Sequence, residues 1–297
     1  MNPPLFILTC MRSFSSVVST MLGQHPQAYG LPELNLFLAD TLGEVIERLT
    51  AHRPQGLNGL LRTIAELEYR AQTQDTVQRA RAWLAQRRQW PIQQVFEFIA
   101  QRGGARLLIE KSPSTVLDET RLARLRRHFP EAYILHLTRH PRTTCKSIHE
   151  IQQKTAILAT NRRTGTPANP ENLWLRANRN ILAFTRRLRP GQTLSIQGEL
   201  LLSQPEVYLP QIAEWLELRA DPDAIAAMLH PERSPYACIG QPNAPFGHDP
   251  NFLHNPRFEK RPLRPARLEG PFDWPSPTGG SYFSRTTLKI APTPSYP

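Results

Sequence analysis

Few cysteines, few lysines and no long apolar run mark this 297-residue chain, and each shortage removes a class of protein. Cys10, Cys145 and Cys238 are too scattered for a disulfide framework or a metal cluster, and are expected to be reduced and mostly packed. No apolar stretch approaches the roughly 18 residues that cross a bilayer. The first ten residues lack a basic n-region and a long h-region, so we expect no signal peptide and a cytoplasmic protein. No Gly-Lys pair occurs anywhere. That absence removes G-x-x-x-x-G-K-[ST], the phosphate loop of nucleotide kinases and ATPases.

What is present is a sizeable core, with 40% hydrophobic residues, and a formal net charge of +11. The length suits one large α/β domain, or one with an inserted helical lobe. Of 36 basic residues only Lys111, Lys146, Lys154, Lys260 and Lys289 are lysine; the rest are arginine. A basic surface invites polyanions, and charge alone leaves nucleic acid, an anionic membrane and a phosphorylated small molecule open. Arginine's planar fork suits phosphate and sulfate, although heavy arginine use also follows genomic base composition. The charge is spread along the chain, without basic-aromatic interleaving, zinc spacing or an RNA-binding signature. We therefore expect neither a nucleic-acid nor a membrane partner.

Leu5 to Leu8 reads as a buried strand, followed by polar residues Arg12 to Ser16 and a helix carrying Val17, Val18, Met21 and Leu22 up to Gly23. Helical patterns fill Leu42 to Ala100 and suggest a helical lobe. Further strands are expected at Arg106–Glu110, Ala132–Thr138 and Thr193–Gln197. Helices are expected near Asp118–His128, Arg142–Lys154, Pro205–Leu218 and Pro222–Leu229, and along the stripe Trp174, Ala177, Ile181, Phe184 and Leu188. A polar loop covers Asn161 to Pro170. Strands alternating with helices predict a mainly parallel sheet in a three-layer α/β fold. Residues 1–261 would form one domain, with the helical lobe at about 40–104, and 262–297 a proline-rich, loosely ordered tail.

Two segments carry the chemistry. In Leu5–Val18 a strand ends in a polar loop and opens a helix. Free backbone N–H groups and the helix dipole there favour an anion. Arg12 adds a fork, and Ser13, Ser15 and Ser16 add hydroxyls. In Ala132–Ser147, Arg139 stands just past a buried strand and Ser147 two helical turns further on, so both can meet one phosphate at the carboxyl edge of the sheet.

Together these segments resemble the 3′-phosphoadenosine 5′-phosphosulfate (PAPS) elements of the sulfotransferase superfamily, in its bacterial and tyrosylprotein-type branch. Arg12 to Ser16 is similar to the 5′-phosphosulfate loop P-R-S-G-[ST]-[ST]. Arg139-His140-Pro141 with Ser147 is similar to the 3′-phosphate element, R-[DH]-P with a serine eight residues after the arginine. Leu31–Phe37 resembles the segment that supplies a catalytic glutamate, here Glu33. Ile109–Pro113 resembles K-[TSD]-P, with Lys111 as its lysine. Gly247–Phe252 resembles G-x-D-P-N-F, which closes over the cofactor.

The resemblance covers roughly residues 4–256 and departs from the pattern at Met11 and Phe14, which stand where proline and glycine are usual. Phe14 fits there with a helical backbone and its ring turned from the ligand, or it weakens donor binding. The resemblance implies a fold like that of P-loop nucleotide-binding proteins with a helical substrate lobe. It further implies a sulfotransferase that moves a sulfuryl group from PAPS to a hydroxyl in line and releases PAP, without a metal. Glu33 is then the general base, Lys111 the group on the bridging oxygen, and Arg12 shares the sulfuryl charge. Arg12, Ser13, Phe14, Ser15, Ser16, Arg139 and Ser147 hold the donor. A surface ion pair with Glu110 is the plainer role for Lys111. The acceptor is a hydroxyl-bearing small molecule or a carrier-bound acyl chain. An inactive PAPS- or PAP-binding relative, and a basic nucleic-acid binder, are the alternatives.

Overall fold

All four residues of Leu5–Leu8 are buried, which a strand achieves only when both faces of its sheet are covered. The computed structural model describes residues 2–104, 106–158, 168–263, 267–268, 272 and 283–290. In chain order the elements are β1 (Leu5–Leu8), α1 (Ser15–Leu22), β2 (Ala28–Gly30), α2 (Leu42–His52), α3 (Asn58–Tyr69), α4 (Gln74–Gln86) and α5 (Ile92–Arg102). They continue with β3 (Leu107–Glu110), α6 (Glu119–His128), β4 (Tyr133–Thr138), α7 (Pro141–Leu158), α8 (Pro170–Thr185), β5 (Thr193–Gln197), α9 (Gly198–Ser203), α10 (Pro205–Trp215), α11 (Pro222–Met228), α12 (Pro250–His254) and α13 (Arg285–Ile290).

The five strands form one parallel sheet in the order β2-β3-β1-β4-β5. Alternation along the strands divides the core. Phe6, Leu8, Leu108 and Ile134 face the helices α2 to α8, whereas Leu5, Ile7, Ile109, Leu135 and Leu137 face α1, α10 and α11. The expected three-layer α/β fold with a parallel sheet is the one observed. From β1 the chain crosses to the edge strand β2, comes back to insert β3 between β2 and β1, and then adds β4 and β5 on the other side of β1. The β1/β4 junction is therefore the switch point, and a ligand is expected beyond the carboxyl ends of those two strands.

Sequence reading misses β2, α9, α12 and α13. β2 has three residues and is defined by its register with β3, Ala28 opposite Leu107. Four helices, α2 to α5, occupy the stretch read as a lobe. Within the proline-rich stretch after residue 262, α13 packs on α8, with Thr287 buried and its hydroxyl donating to Glu171 Oε1. The loop at 161–170, with Arg162 and Arg163, lies largely outside the described residues. No helix among the described residues is long and apolar enough to cross a membrane.

Candidate active site

The loop after β1 turns through two left-handed residues, Arg12 (φ 66°) and Phe14 (φ 62°), before α1 begins. Left-handed backbone at a bulky residue costs of order 1–3 kcal/mol and persists only where its surroundings impose it. Phe14 thus adopts the conformation that favours glycine, and not the helical backbone that is one of the two alternatives for it. Its ring lies 4.3 Å beneath the Arg139 guanidinium and packs against Gly198, where a Cβ would meet its ring at 2.7 Å.

Arg139, just past β4, is fixed from several sides. It donates to Thr143 Oγ1 at 3.1 Å and to the carbonyl of Arg12, and its own carbonyl accepts from Trp174 Nε1 at 3.2 Å. Burial lowers its pKa to about 10, partly offset by the nearby Glu199 carboxylate. Glu199 in turn accepts from the His140 N–H at 2.9 Å. Arg12 Nε donates to Ser147 Oγ at 3.1 Å, and its guanidinium is ion-paired to Asp249. Burial lowers the Arg12 pKa, opposed by the charge of Glu150. Trp174 is a core residue, 1% exposed, and His136 is buried beside Asn178.

Arg12, Phe14 and Arg139 line one cavity of about 340 Å³, together with Ser13, Ser15, Ser16, Ser147, Asp249 and Arg257. The Ser13 hydroxyl is enclosed with no hydrogen-bond partner among the described residues. A buried hydroxyl in that state is expected where a ligand completes the site.

On the other side of the loop Lys111, fully buried at the end of β3, donates to Glu33 Oε1 at 2.8 Å and to Ser16 Oγ at 3.2 Å. Its partner is not Glu110, which points to the opposite side of the strand. Glu110 is buried, accepts from the Leu34 N–H at 3.2 Å and from Ser112, and burial raises its pKa to about 7. Ser112 Oγ accepts from the Asn35 N–H at 2.9 Å, so this pair fixes the turn that follows Glu33. Gly59 explains how closely α3 approaches: a Cβ there would stand 2.1 Å from the Glu33 carbonyl oxygen.

The segment 246–249 closes the site. The Glu33 N–H donates to the Gly247 carbonyl at 2.8 Å, where Gly247 has φ 146°, and the Asp249 N–H donates to Ser16 Oγ at 3.0 Å. Arg62, fully buried on α3, donates to the carbonyl of Cys238 at 2.9 Å and to that of Phe246 at 3.4 Å, anchoring the approach. Glu33, Asn35, Arg53, Gln55 and His248 line a second, smaller cavity of about 100 Å³ beneath this segment. All the residues singled out in sequence therefore fall on the two adjoining cavities or the wall between them. The individual contributions of Asp249, Gly59 and Arg62 were not legible, because each acts through a partner remote in sequence.

The parallel sheet thus carries, at its switch point, an arginine- and serine-lined cavity beside a lysine–carboxylate pair. The sulfotransferase family profile matches residues 3–222, and the chain belongs to that family. The sulfotransferase domain from the curacin biosynthetic pathway superposes with a TM-score of 0.75 at 24% identity, covering 98% of this chain and 96% of its own. The sulfotransferase domain from the Synechococcus PCC 7002 olefin synthase gives 0.74 at 25%, covering 97% and 93%. No curated protein matches the chain.

Proposed function

We propose that the chain transfers the sulfuryl group of PAPS to a hydroxyl, with Glu33 as general base, in keeping with its sulfotransferase family and fold. The observation that carries this reading is the Lys111 ammonium, which joins Glu33 on the acceptor side to Ser16 on the donor loop. One buried cation beside both halves of the reaction suits a transfer that passes negative charge from one to the other.

The donor's two anionic ends fit the residues present. Ser13, Ser15, Ser16 and Arg12 would hold the 5′-phosphosulfate, and the unpartnered Ser13 hydroxyl has a use there. Arg139 and Ser147 would hold the 3′-phosphate, with Phe14 as the platform under Arg139. When bound, the donor supplies an activated sulfur with a phosphate leaving group. Glu33 takes the proton of the acceptor hydroxyl, whose oxygen then attacks in line. Arg12 shares the charge on the sulfuryl oxygens, and Lys111 stabilises the bridging oxygen as it leaves with PAP.

For the acceptor we favour a carrier-bound hydroxyacyl chain. Two similar structures are domains of a biosynthetic pathway and of an olefin synthase. Sulfation turns a hydroxyl into a leaving group, which is the activation that olefin formation needs. A basic chain, at +11, also suits an acidic carrier protein.

Calorimetric titration with PAP and PAPS tests the donor half. The wild type should bind both, and Arg12→Ala and Arg139→Ala should each lose most of the affinity. A folded wild type that binds neither would leave the chain a sulfotransferase-family member with another role.

A further inference from the structure

We infer that His248 is the residue that orients the acceptor hydroxyl against Glu33, contacting it through the imidazole in the smaller cavity. This rests on the reading of Glu33 as the base. His248 occupies the position that the pattern G-x-D-P-N-F leaves open, so its identity belongs to this chain.

Four observations converge on it. First, the ring is 6% exposed and lines the same cavity as Glu33, a space of about 100 Å³ that suits the hydroxyl-bearing end of an acceptor. Second, its Nδ1 is enclosed and has no hydrogen-bond partner among the described residues. The two other histidines buried as whole residues among the described ones both have partners: His25 bonds the Arg219 carbonyl at 2.9 Å, and His136 bonds Asn178 at 3.1 Å. Leaving a buried polar atom unmade is costly, so an unpartnered imidazole in a reacting cavity is expected to gain its partner from the substrate.

Third, the backbone on both sides is pinned to the reacting groups. The Gly247 carbonyl accepts from Glu33 N–H, and the Asp249 N–H donates to Ser16 Oγ. The ring itself stands edge-on to Phe252, with centroids 5.7 Å apart. Its position relative to Glu33 and the donor loop is therefore set before the acceptor arrives. Fourth, the ring is neutral at physiological pH. Burial, then the Lys111 ammonium and the Arg62 guanidinium, drive its pKa well below the usual imidazole value.

A neutral imidazole has one N–H and one bare nitrogen. Its N–H donates to a lone pair of the acceptor oxygen, which fixes the direction of the other lone pair and of the O–H. The proton passes to Glu33, the oxygen forms the new O–S bond, and the bond from sulfur to the 5′-phosphate oxygen breaks with its electron pair leaving on PAP. No proton is transferred to His248, so its effect is on acceptor binding and alignment.

The test compares His248→Phe, which keeps the ring volume and the contact with Phe252, with His248→Gln, which keeps a hydrogen-bond donor. The probes are ³⁵S-labelled PAPS with a 3-hydroxydecanoyl pantetheine thioester, and PAP for calorimetry. His248→Phe should raise the acceptor KM about tenfold, the loss of one hydrogen bond, with PAP affinity within twofold of wild type. His248→Gln should recover most of the loss, with an unchanged acid limb in the kcat profile. Wild-type kinetics in His248→Phe would overturn the inference. So would an equal loss of kcat in both variants with a displaced acid limb, which would make His248 the base. Glu33→Gln run alongside separates the two readings. If it abolishes turnover while His248→Phe changes nothing, only the His248 inference fails. If Glu33→Gln is fully active, the underlying reading fails as well.

Discussion

Lys111 Nζ lies 2.8 Å from Glu33 Oε1, and the lysine is fully buried while the Glu33 side chain keeps 19% of its surface exposed. The pair therefore has a sealed end at the loop after β1 and an open end at the smaller cavity. Replacing Lys111 with Met keeps most of the stem and removes the charge. We predict a fall in kcat of about 10²–10³, the cost of deleting one preorganised charge-stabilising group. PAP affinity should change far less. A variant with normal kcat would remove Lys111 from the reaction.

Arg139 sits between the carbonyl of Arg12, Thr143 and the face of Phe14. Its planar guanidinium stacks on the ring in a way an ammonium cannot reproduce. Arg139→Ala should weaken PAP binding by about 10- to 100-fold. Arg139→Lys should recover little of it, as read by calorimetry. Full recovery by lysine would show that charge alone matters here and that Phe14 is not a platform.

Asp249 holds Arg12 by an ion pair at the larger cavity and also caps α12, accepting from the Asn251 N–H at 3.0 Å. Asparagine preserves the cap and removes the anion. Asp249→Asn should bind PAP roughly two- to fivefold more tightly, the scale of a partly exposed ion pair. Weaker binding would mean that the carboxylate orients Arg12 rather than competing with the donor.

Much of this site was legible because its main parts are local in sequence. The segments after β1, β3 and β4 place Arg12, Lys111 and Arg139 at strand ends, and continuous buried runs such as Leu5–Leu8 identify those strands. What sequence hides is contact across distance. β2 is only three residues long and exists through its register with β3. Gly59 is required by the Glu33 carbonyl 26 residues away, and nothing in its helical neighbourhood reveals that. The Phe14 conformation is left open in sequence for the same reason: the residues its ring packs against, Gly198 and Arg139, arrive after β5 and β4.

Glu110 links this geometry to pH. Its pKa is raised from 4.5 to about 7 by burial, against the opposing hydrogen bonds of Ser112 and Leu34. The folded state therefore holds the proton more tightly than the unfolded chain. That contribution is complete below the unfolded value near 4.5 and is lost as pH rises through about 7. The loss is on the order of 3 kcal/mol. Urea unfolding of Glu110→Gln should lack this slope while wild type shows it; equal slopes in the two proteins would place the pH dependence elsewhere.

The most direct measurement follows label from ³⁵S-PAPS to a 3-hydroxydecanoyl pantetheine thioester, for wild type and Glu33→Gln, with PAP affinity measured on both. The account predicts labelled acceptor from wild type, a fall in kcat of about 10²–10⁴ in Glu33→Gln, and equal PAP affinity in the two proteins. A Glu33→Gln enzyme that transfers label at the wild-type rate would contradict it.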